Sequence, residues 1–81
     1  MMLYVLIPHA GRSLEDSHLF TSFSLVEQRI LAVARSYREA GMDPDWGYIV
    51  AYEGLDQLHP VFLYTVVGDR LHREPYPSPS P

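Results

Sequence analysis

The sequence predicts a small α+β domain of order β-α-β-β-β, with one helix packed on one face of a three- to four-stranded mixed sheet. Three observations lead there. Residues 2–8, 46–53 and 61–67 are rich in β-branched and aromatic side chains that alternate in the manner of strands. Residues 24–40 instead repeat apolar side chains at helical spacing. A chain of 81 residues, finally, holds one domain, and folding at this size buries roughly 60 to 65% of the surface of the unfolded chain.

The first strand, "MLYVLIP", sets Leu3, Val5 and Ile7 on one side and Tyr4 and Leu6 on the other, and Pro8 ends its ladder. From His9 to Phe23 no period is legible, so this stretch reads as a connection longer than the usual 4 to 6 residues or so. "SLVE" at 24–27 matches a capping box, with Ser24 and Glu27 satisfying each other's amides, and so predicts the helix start. Val26, Ile30, Val33, Ala34 and Tyr37 form its apolar stripe, and Gly41 is its stop.

"DPDW" is a turn by composition, and "WGYIVAYE" follows as the second strand. It carries Trp46, Tyr48, Val50 and Tyr52 on one side and Gly47, Ile49 and Ala51 on the other. The connection "GLDQLHP" leads to a third strand, "VFLYTVV". Gly68 and Asp69 form a two-residue hairpin turn into a short fourth strand, "RLHRE", whose Arg70, His72 and Glu74 suit a charged edge. The domain is thus expected over 1–74, with a polyproline-like tail at 75–81 that stays out of the sheet. A right-handed crossover through the helix makes the first two strands parallel neighbours if they share the sheet.

Composition narrows the function classes. The net charge is −4 and lysine is absent, which argues against duplex nucleic acid as a partner. Cysteine is absent too, which removes disulfides and thiolate metal sites. "MMLYVLI" lacks a basic leader region and no apolar run nears the roughly 20 residues of a membrane span, so a cytoplasmic protein without membrane contact is expected.

One helix covers one face of a sheet, yet both faces of these strands are apolar. The small and aliphatic set Val5, Ile7, Gly47, Ile49, Ala51 and Leu63 is assigned to the helix side. The aromatic set Tyr4, Tyr48, Tyr52, Phe62 and Tyr64 is then left facing outward, where self-association would cover it. The expected oligomer interface comprises Trp46, Tyr48, Tyr52, Phe62 and Tyr64. A ligand groove lined by Tyr4, Tyr48, Tyr52 and Tyr64 is the competing use of the same rings.

The polar candidates are weaker. Glu53, Asp56 and His59 match no metal spacing, and Gly54, Asp56 and Pro60 read as turn chemistry. His9, His18, His59 and His72 show no close pair, and the Ser, Asp and His residues of "HAGRSLEDSH" carry little specificity as a triad. "PHAGRS" is more pointed: Gly11 permits close approach, and Arg12 and Ser13 could hold a phosphate or carboxylate.

No cofactor or catalytic residue follows from these patterns. The functional expectation is a non-enzymatic, small homo-oligomeric binding protein, of the accessory type that phages encode, holding a small anionic, nucleotide-like ligand through Arg12, Ser13 and the tyrosines. The alternatives are a protein-interaction module or inhibitor that docks through its aromatic face or proline-rich tail, and a small enzyme using the histidines.

Overall fold

A computed structural model of the chain describes residues 1–9 and 18–76. The elements in order are β1 (Met2–Pro8), β2 (His18–Phe20), α1 (Phe23–Glu39), β3 (Gly47–Glu53), β4 (His59–Val67) and β5 (Arg70–Pro75). The helix lies against a single five-stranded open sheet of order β2-β1-β3-β4-β5, in which every neighbouring pair is antiparallel.

Two expectations are corrected together. The sheet has five strands where three or four were expected, and it is antiparallel where it was expected to be mixed. The cause is β2, three residues inside the stretch read as an aperiodic connection. It turns back along β1, pairing Leu19 with Val5, so the chain enters α1 running opposite to β1. The helical crossover therefore joins β2 to β3, and β1 lies between them, antiparallel to both.

The helix starts one residue before the capping box. Ser22 is the N-cap, its Oγ accepting from the amide of Leu25 at 3.4 Å. Phe23 becomes the first helical residue, and its ring packs 5.5 Å from Tyr4 and 4.9 Å from Tyr64. Burial of that ring favours the earlier start. At the other end the reading of Gly41 holds: its φ is 77°, and the amides of Gly41 and Met42 donate to the carbonyls of Arg38 and Tyr37, a Schellman motif.

Val26, Ile30 and Ala34 are the buried stripe of α1. They meet Leu6, Ile49, Ala51, Tyr64 and Val66 from the sheet. Trp46 adds a tie, donating from its indole Nε1 to the carbonyl of Ile30 at 3.0 Å. Arg38 adds a second by donating to the carbonyl of Gly68 in the β4–β5 turn.

Strand β4 begins earlier than expected. His59 already pairs with Glu53 and Pro60 with Tyr52, while Phe62 pairs with Ala51, so Val61 is the extra residue of a bulge. The bend is thus 54–58 instead of 54–60. The Gly68–Asp69 turn is as expected, since Val67 pairs with Arg70 across it. Strand β5 extends to Pro75, and the Tyr76 amide donates to the Val61 carbonyl at 3.1 Å, so the first residues assigned to the tail stay with the sheet.

Candidate functional site

The pairing register decides which side chains share a face. Leu6 opposes Ile49, which opposes Tyr64; Tyr4 opposes Ala51, which opposes Phe62. These two cross-strand rows carry buried core residues, so they mark the helix side. The alternate set, Val5, Ile7, Tyr48, Val50, Tyr52 and Leu63, faces the other way. No secondary-structure element of the described residues lies over that face.

The expected partition therefore holds on β3 and fails on its neighbours. Gly47, Ile49 and Ala51 face the helix, and Tyr48 and Tyr52 face away. Val5, Ile7 and Leu63, however, lie on the open face, and Tyr4, Phe62 and Tyr64 lie beneath the helix. Size alternates across the strands: small residues of β3 let the helix approach, and large rings of β1 and β4 flank it in the same row. Sorting by size along each strand mistook this row for two separate faces.

The proposed site residues are accordingly divided. Tyr4 and Tyr64 sit with Phe23 and Phe62 in an aromatic cluster, the Phe62 and Tyr64 rings 6.4 Å apart. Trp46 turns onto the helix near Tyr37, with 6.2 Å between ring centres, and so leaves the open face. Tyr48 and Tyr52 remain there. Arg12 and Ser13 lie outside the described residues. Burial, and after it the neighbouring Tyr64, raises the Tyr4 phenol above its ordinary value.

The open face has an aliphatic and aromatic centre and a charged margin. Val50, at its middle, is buried, and Val5, Ile7, Tyr48, Tyr52 and Leu63 around it are half-buried. Along β5 the margin carries Arg70, His72 and Glu74, all exposed. At the end near Pro8, the His9 ring lies 5.3 Å from that of Tyr48, and its Nε2 is 3.3 Å from Asp45 Oδ1. Sequence reasoning missed Val5, Ile7 and Leu63 as members of this face, although their alternation with Tyr4 and Tyr64 was legible.

Glu53 and His59 are cross-strand neighbours at the mouth of the β3–β4 hairpin, both exposed, and Asp56 lies on the exposed bend beyond them. Among the described residues no three His, Asp or Glu side chains gather as a metal site requires. A groove of about 360 Å³ runs between β2 and α1, lined by Phe20, Leu25, Gln28, Arg29 and Ala32. Its lining comes from a strand that the sequence did not reveal and from the outer side of the helix. No described helix is long and apolar enough to cross a membrane.

Comparison with protein-family models, with curated proteins and with solved structures finds no match for this chain.

Proposed function

We propose that the chain works as a non-enzymatic, homo-oligomeric binding protein whose principal contact surface is the open face of the sheet, covered by the same face of a second copy. The observation that carries this reading is the apolar set Val5, Ile7, Tyr48, Val50, Tyr52 and Leu63 on the face away from the helix, over which no element of the described residues lies. Strands of seven, three, seven, nine and six residues span a flat area of about 500 Å², which side-chain relief brings toward the roughly 800 Å² per partner of specific interfaces. An apolar, aromatic-bearing centre with a charged margin is also the usual anatomy of such contacts.

A nucleotide-like anion remains a proposed ligand of the assembly. Of the residues expected to hold it, Tyr48 and Tyr52 share the open face, whereas Tyr4 and Tyr64 lie on the opposite side of the sheet. The reading is therefore carried by self-association and not by that ligand set.

Sedimentation from low micromolar to near-millimolar concentration tests it. The parent chain is expected to move from monomer to dimer or larger species, and Tyr48→Asp, which places a charge in the apolar centre, to form smaller species than the parent at every concentration at which the parent associates. A parent chain that stays monomeric throughout would falsify the proposal. A heterologous protein seated on the same face would instead leave the isolated chain monomeric.

A further inference from the structure

We infer that the outer edge of β5 is a second, separate self-association site, at which two copies join their sheets antiparallel in one register centred on His72. The register is dictated by main-chain hydrogen bonding. Residues of an antiparallel strand direct their N–H and C=O groups alternately to one neighbour and to the other. The two-residue turn makes Val67 and Arg70 the first bonded pair, so Arg70, His72 and Glu74 bond inward to β4. The Tyr76 amide, which donates to Val61, continues the same inward series.

Leu71, Arg73 and Pro75 consequently aim their main-chain groups outward, and β5 is the last strand of the sheet among the described residues. Proline is tolerated at that outward position because no ladder bond to β4 is lost. It also limits what can pair there. A two-fold register that places Arg73 opposite its own copy sets Leu71 against Pro75, whose nitrogen has no hydrogen to donate. A register that places Leu71 opposite itself runs Arg73 into Asp69 of the turn. Centring on His72 leaves only Pro75, which has no N–H to lose, against Asp69 of the turn, and pairs Leu71 with Arg73 of the second copy twice, where both residues can donate and accept.

The same register satisfies the side chains. Arg70 falls opposite Glu74 of the second copy, and symmetry repeats that pair at the other end. Both side chains are exposed and lie on one side of the sheet. Edge charges ordinarily repel an arriving strand. Here they repel strands in general and admit this one in a single alignment. On the other side of the sheet the Arg73 guanidinium sits 4.7 Å above the Phe62 ring, clear of the Arg70–Glu74 side. Continuation through β5 would also double the open face without covering it, so this edge and that face can be occupied together.

Amide hydrogen exchange on the full chain reads the edge directly. The Leu71 and Arg73 amides are expected to become at least tenfold better protected between low micromolar and near-millimolar chain. Arg70→Glu and Glu74→Arg, each alone, place like charges opposite each other at both ends and should lose that protection. Their equimolar mixture opposes acid to arginine at both ends and should recover it as a heterodimer, visible by native mass spectrometry. Both changes are on exposed side chains, and circular dichroism checks that each variant is folded. In Tyr48→Asp, directed at the face, the edge protection is expected to persist, which separates the two surfaces. Concentration-independent exchange at Leu71 and Arg73, single variants that behave as the parent, or a mixture that recovers nothing would each overturn the edge site.

Discussion

At Gly54 the backbone adopts a φ of 147°, a region that L side chains rarely enter, and a Cβ there would overlap the Gln57 carbonyl. The stretch around it holds Glu53, Asp56 and His59, and their nearness in sequence is explained by this bend. Gly54→Ala should cost about 1–3 kcal/mol, read as a lower denaturant midpoint with an unchanged slope. An unchanged midpoint would mean that the bend relaxes freely. Tyr4 offers a different residue-level test. Its raised pKa, from burial first and Tyr64 second, means that the unfolded chain ionises this phenol before the folded one does. The folded state then holds more protons than the unfolded one, so its stability is full below about pH 10 and falls as pH rises toward the folded pKa. Tyr4→Phe should flatten that alkaline fall; an equally steep fall in the variant would assign it to other groups.

Helix α1 shows how local signals compete. "SLVE" is a sound capping box, yet Ser22 caps the helix, because the earlier start lets Phe23 fill the space between Tyr4 and Tyr64. Ser22→Ala should therefore cost about 1 kcal/mol and Ser24→Ala only a few tenths, compared by thermal melting. Equal costs would return the cap to Ser24. The other elements divide according to how much of their information is local. The Schellman stop at Gly41, the Gly68–Asp69 turn and the alternation of β3 were legible because each rests on a few adjacent residues. Strand β2 was not, since "HLF" is too short to show a period. The faces of β1 and β4 were not either, because both of their alternating sets are apolar. What settles them is the register that places Tyr4 and Phe62 on either side of Ala51, a fact about three strands and not one.

For the molecule as a whole, the question is what supplements a small core. The buried set comprises Leu6, Val26, Ile30, Ala34, Ile49, Val50, Ala51, Tyr64 and Val66, with no disulfide to assist it. A single core at this size rarely supplies more than about 3–5 kcal/mol. Covering Val5, Ile7, Tyr48, Tyr52 and Leu63 with a second copy would add burial available only to the folded state. Stability should then depend on concentration by mass action. A hundredfold rise above the dissociation constant contributes about 2.7 kcal/mol per dimer, shared between two chains. In a domain of this length that corresponds to a rise in melting temperature of roughly 5–10 °C. Tyr48→Asp should melt at a temperature less dependent on concentration, because its face is charged at the centre. Calorimetry of both proteins over that range distinguishes an interface from an apolar face that simply stays in water. In the second case parent and variant would show the same dependence of melting temperature on concentration, and the open face would lose its claim to be a contact between copies.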